Sequence, residues 1–147
     1  MPTDPMYLKG YSCFENLTEE QLETIAEITD AVCYLPGQIL FEEGLHSEKV
    51  FFLKEGDVEV IYNIGESGRV QVDTVSGQEV VGCSALIEPY LYTATERSLT
   101  QVEVLEVDAK ALRELMQSDC QLGFMLQSQI IKILMERILT LRLKTIA

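Results

Sequence analysis

A mainly β fold with flanking helices is what this sequence predicts: an eight-stranded antiparallel jelly roll (a double-stranded β-helix) with an N-terminal helix and a long C-terminal helix. Three observations carry the prediction. Short β-rich runs separated by glycine turns fill Ala31 to Asp108. Several of them alternate with period two, as Val58, Val60 and Tyr62 do against Asp57, Glu59 and Ile61. From Ala109 onward the pattern changes to helical spacing. With 147 residues, 47% of them hydrophobic, the chain is long enough for one well-buried core. Residues 1–147 are therefore expected to form a single domain: a helical segment at 12–30, a β-roll at 31–108 and C-terminal helices at 109–147.

The first element is a short amphipathic helix over Leu17 to Ile28. Thr18 is its N-cap, Gln21 closes a capping box, and Leu22, Ile25 and Ile28 share one face. The strand runs then read Ala31–Leu35, Gln38–Phe41, Lys49–Leu53, Asp57–Ile64, Arg69–Val75, Glu79–Gly82, Tyr92–Leu99 and Thr100–Val107. Their turns fall at Gly37, Gly44, Gly56, Gly65-Glu66-Ser67-Gly68 and Ser76-Gly77. Asp108 caps a helix from Ala109 to Met116, and a last helix starts near Ser118 or Asp119 and continues to the end. On it Phe124, Ile131, Leu134, Ile138 and Leu141 form a heptad-like stripe, widened by Leu126, Ile130, Ile133 and Leu143. One small roll cannot cover so much apolar surface, so this helix is expected to pair with its copy in a homodimer.

Charge narrows the function classes. The net charge is -13, and up to Ser118 there are 22 acidic residues against 7 basic ones. Such a surface repels phosphate backbones and acidic membranes, so neither direct nucleic-acid nor membrane binding is expected. The N-terminus has no signal-like leader, and Lys132, Glu136, Arg137 and Arg142 interrupt the apolar C-terminal run, which points to a cytoplasmic chain. Cys13, Cys33, Cys83 and Cys120 form no CxxC unit and His46 is the only histidine, so no metal site is expected. No nucleophile, base and acid assemble around His46, and no enzymatic activity is expected.

The run Val81-Gly82-Cys83-Ser84-Ala85-Leu86 followed by Thr93-Ala94-Thr95 carries the chemistry. Together with Phe14 to Leu17 and Leu22, Pro36-Gly37-Gln38, Phe41, Glu43-Gly44, Phe52-Leu53, Gly56, Val58 and Val104-Leu105 with Leu112, it resembles the cyclic-nucleotide-binding domain of the catabolite-activator superfamily. The resemblance covers about residues 12 to 145. It implies a cassette whose backbone amides and an arginine hold a cyclic phosphate, and whose glutamate holds the ribose. The glutamate position is Cys83 here and the arginine position is Tyr92. Neither a thiol nor a phenol replaces a charged anchor, and each loss costs about 2 kcal/mol, which stands against ordinary cAMP or cGMP binding. Glu88 and Arg97 are candidate replacements, Arg97 otherwise being paired with Glu96 or Glu103.

No cofactor is certain, a cyclic nucleotide or another small anionic ligand being the candidate. The candidate pocket comprises Val72, Val81, Gly82, Cys83, Ser84, Ala85, Leu86, Tyr92, Thr93 and Ala94, with Ser84, Tyr92 and Thr93 offering hydroxyls. Several readings stay open. The first is a stand-alone regulatory or sensor module that binds an altered ligand and signals through the homodimer. A second is a ligand-free scaffold for an unidentified protein partner, its pocket closed by Tyr90, Leu91 and Tyr92. The others are a thiol sensor at Cys83 and a true cAMP or cGMP binder that relies on backbone amides. The 147 residues leave no room for a recognition helix after the last helix, and both a free-standing subunit and a piece of a longer regulator stay open, the former favoured.

Overall fold

Val50, Phe51, Phe52 and Leu53 are all buried, which an alternating strand permits only when both of its faces are covered. Val50 and Phe52 pack with the helices, whereas Phe51 and Leu53 pack inside the roll. The computed structural model describes residues 3–63 and 68–146. Its helices are α1 (Pro5–Leu8), α2 (Glu19–Glu27), α3 (Ala109–Ser118) and α4 (Cys120–Ile146), with 3-10 turns at Ser12–Phe14 and Cys83–Leu86. The strands are β1 (Thr29–Tyr34), β2 (Ile39–Phe41), β3 (Lys49–Glu55), β4 (Asp57–Asn63), β5 (Arg69–Ser76), β6 (Val80–Val81), β7 (Thr95–Ser98) and β8 (Val102–Asp108).

Two four-stranded antiparallel sheets result, ordered β1-β8-β3-β6 and β2-β7-β4-β5. This is the jelly roll that the sequence predicts. Phe51, Leu53, Val58, Val102 and Val104 fill the space between the sheets. A second cluster joins Phe52 and Leu105 to Ile25, Leu112, Leu122 and Leu126 of the helices. The N-terminal segment is fixed there by Tyr11 and Phe14, whose rings lie 5.3 and 4.8 Å from that of Phe52. The Tyr11 hydroxyl donates to the Leu53 carbonyl at 2.7 Å.

The capping box forms as expected: Gln21 N–H donates to Thr18 Oγ1 at 3.1 Å, and Thr18 N–H to Gln21 Oε1 at 3.0 Å. The helix stops at Glu27 and β1 starts at Thr29, two residues before the expected Ala31. Thr29 spends its hydroxyl on the Ile25 carbonyl while its backbone pairs opposite Val107. α1 was not anticipated; Asp4 caps it by accepting from Met6 N–H at 2.9 Å, with Pro5 in the first turn. β7 is shorter than the expected Tyr92–Leu99, because residues 90–92 pair with the 44–47 loop through Gly44 N–H to Tyr92 O and Ser47 N–H to Tyr90 O. The expected Ile64 and the turn residues Gly65, Glu66 and Ser67 lie outside the described residues, as does the side chain of Val72.

Asp108 caps α3 by accepting from Ala111 N–H, and Asp119 receives Leu122 N–H at 3.1 Å at the start of α4. The 27 residues of α4 span about 40 Å. Leu122, Leu126 and Ile130 bury one face against the domain, so Leu126 and Ile130 do not widen the outer surface as the sequence suggested. Phe124, Ile131, Leu134, Ile138 and Leu141 all face solvent, between 41 and 73% exposed. No described helix is long and apolar enough to cross a membrane.

Candidate functional site

β6 pairs with β3, Val81 opposite Phe51 and Val80 opposite Phe52, and Val81 packs inside the roll. The chain then turns at Gly82, left-handed at φ 78°, into the 3-10 turn Cys83–Leu86. A Cβ at Gly82 would lie 3.3 Å from the Lys49 carbonyl, so this turn is pressed against β3. Ala85 is fully buried, and Leu86 packs with the helical cluster. The turn's own carbonyls take the N–H groups of Ala85 (to Gly82) and Ile87 (to Ser84).

The three hydroxyls expected together have separate fates. Ser84 Oγ lies 3.1 Å from the hydroxyl of Ser47, a fully buried residue that sequence reasoning missed. Thr93 is exposed, beside buried Ala94. Tyr92 is buried in the interior core, its ring stacked on Phe41 with centroids 4.2 Å apart and planes at 18°. Its hydroxyl donates to the Lys49 carbonyl at 3.1 Å and accepts from Lys49 N–H at 3.2 Å. Burial raises its pKa. The Tyr92 side chain is therefore a strut between the segment after the cassette and β3.

Burial also pushes the Cys83 thiol up to about 11, against the lowering effect of Arg137. A thiol held protonated at neutral pH is a poor nucleophile, and the thiol-sensor reading gains no support. Arg97 pairs with neither Glu96 nor Glu103. The β4–β7 register sets it opposite Glu59, whose buried carboxylate takes its Nε at 2.5 Å and a second contact from its Nη2. Glu96 is left 5% exposed, and its Oε1 has no hydrogen-bond partner among the described residues. Desolvation pushes its carboxyl up to about 8, opposed by Arg137 and reinforced by Glu79.

Two arginines of the C-terminal helices hold the cassette by its main chain. Arg113 of α3 donates from Nη1 to the Ala85 carbonyl at 2.6 Å, with its guanidinium 4.1 Å from the centre of the Tyr90 ring. Arg137 of α4 donates from Nη2 to the Val80 carbonyl at 2.6 Å and lies 3.8 Å from a Glu79 carboxylate oxygen. Nothing local in the sequence announces these contacts, which join residues 28 and 57 positions apart. Their one signal is scarcity: they are two of only 11 basic residues.

The model of the cyclic nucleotide-binding domain matches residues 31–119 of this chain, the roll together with α3. The chain belongs to the cyclic nucleotide-binding domain family. A provisionally assigned cyclic nucleotide-binding protein from Geobacter metallireducens has 30% sequence identity and a TM-score of 0.84, the match covering 92% of this chain and 98% of that one. A cyclic nucleotide-binding domain from Methylobacillus flagellatus superposes with a TM-score of 0.81 at 16% identity, over 94% and 82% of the two chains, and shows the fold alone. Among curated proteins, the cGMP-dependent protein kinase, isozyme 1, of Drosophila melanogaster is 26% identical over 119 residues, which is 79% of this chain and 16% of the kinase. The chain thus spans about a sixth of that relative's length. The matched family is one of cyclic nucleotide-binding domains, a non-catalytic class.

Proposed function

We propose that this domain is a homodimeric regulatory module whose inherited cassette has lost cyclic-nucleotide binding and works as a mechanical joint between the roll and the C-terminal helices. The observation that carries the reading is Tyr92. Its ring occupies core volume and its hydroxyl is committed to both backbone groups of Lys49, so the position offers no cation to a cyclic phosphate. Arg113 and Arg137 supply the joint, each tying one C-terminal helix to one end of the segment from Val80 to Ala85. The solvent-facing stripe of α4 supports pairing with a second copy, because isolated apolar side chains at this density are stabilised by mutual burial.

Titration calorimetry with cAMP and cGMP is expected to give no saturable heat, and micromolar binding of either would overturn the reading of the cassette. In sedimentation equilibrium the chain is expected to be a dimer that Ile131→Asp with Ile138→Asp converts to a folded monomer. A monomeric parent chain would overturn the dimer. A second reading, an altered ligand inside the roll, is favoured by the unpaired carboxyl oxygen of Glu96, a buried polar atom that a ligand N–H would satisfy. Small phosphorylated metabolites and cyclic dinucleotides in the same titration separate the two readings.

A further inference from the structure

A cavity of about 230 Å³ lies outside the roll, between α4, the Ser12–Phe14 turn and the approach to β6. Tyr11, Cys13, Val80 and Ile133 give it an apolar lining, the first three almost fully buried. Burial pushes the Cys13 thiol up to about 12, so it lines the cavity as a neutral group. Charge is confined to three other lining residues. Glu79 and Arg137 largely neutralise each other at 3.8 Å, while Glu136, one helical position from Arg137, has no ion-pair partner among the described residues. The net charge of these three groups is about -1, on a chain of net charge -13, so the field at the cavity favours a cation.

We propose that this cavity is an effector site for a small organic amine, whose apolar body fills the space against Val80 and Ile133 and whose ammonium group meets the Glu136 carboxylate. The site goes beyond the reading of the cassette and does not depend on it. An occupant would touch α4 and the residues leading into the cassette at once, beside the Arg137 contact that joins them. Binding adds contacts between α4 and the approach to β6 beside the one Arg137 already makes.

The test is titration of the full chain with 2-phenylethylamine and with its anionic counterpart 3-phenylpropionate. The amine is expected to bind saturably, the carboxylate not at all. Glu136→Gln, at an exposed helix position, is expected to weaken the amine by about tenfold. Thr140→Trp, also exposed and at the cavity's edge, is expected to abolish binding by occlusion. Hydrogen exchange of α4 amides near residues 133–140 is expected to slow in the bound state. The proposal is overturned if the amine shows no saturable binding, if the carboxylate binds equally well, or if Glu136→Gln leaves affinity unchanged, the sign of general attraction to an acidic surface. These outcomes are independent of the cyclic-nucleotide titration, so either proposal can fail alone.

Discussion

Replacing Glu96 with leucine is expected to stabilise the domain and to flatten its stability against pH. Glu96 sits 5% exposed with Oε1 unpaired, and desolvation is the largest cause of a pKa near 8 against an ordinary value of 4.5. A carboxyl whose pKa is raised on folding binds its proton more tightly in the native state. Its contribution is fully present below about pH 4.5 and is lost as pH rises to about 8, at a cost on the order of 3 kcal/mol by neutral pH. Leucine removes both this penalty and the unsatisfied oxygen. Arg137 is not orphaned by the change, because it keeps the Val80 carbonyl and Glu79. The expected gain is about 2–3 kcal/mol at pH 7.5, or roughly 5–10 °C in midpoint, shrinking toward pH 5. Thermal melts of Glu96→Leu and Glu96→Gln from pH 5 to 8.5 test this. A lower midpoint in both variants, or a pH profile unchanged from the parent, would show that the carboxylate has a structural partner.

The largest expected loss is at Gly56. It joins β3 to β4 at φ 104°, and a Cβ there would lie 2.5 Å from the Gln101 carbonyl oxygen and 2.9 Å from Val102 Cα. Both atoms are main chain at the start of β8, which pairs with β1 and β3 together, so no flexible side chain can yield. Gly56→Ala is expected to cost about 3 kcal/mol or more. Gly77→Ala is the control, since Gly77 also has positive φ, at 76°, but nothing within 4 Å of its added carbon. It is expected to cost about 1 kcal/mol. Equal costs for the two, measured by urea unfolding, would mean that the turn does not press on β8.

Local chemistry made much of this legible beforehand. The Thr18–Gln21 box, the Asp108 cap and the start of α4 rest on atoms within three residues of each other, and each formed where its residues indicated. The roll was readable because period two survives in the strands that pack the interior. What failed was set by distance. Arg97 found Glu59 because of the β4–β7 register, which nothing in either strand states alone. Glu96 was passed over as a surface partner, although its place between buried Ala94 and Ser98 in an alternating strand was the available sign that it faces inward. α1 was missed despite an Asp-Pro start, because four residues carry too little periodicity to read. At the cassette, the sequence indicated which anchors were replaced but not that the Tyr92 hydroxyl is committed to Lys49.

Arg113 and Arg137 grip carbonyl oxygens rather than side chains. A main-chain oxygen is present whatever residue stands at positions 80 and 85, so these attachments are indifferent to the cassette's spelling. Within residues 80–85 the side chains, that of Cys83 among them, can be exchanged without removing either attachment. Side-chain identity within the cassette and its attachment to the C-terminal helices are thereby separable: the first can change while the second persists.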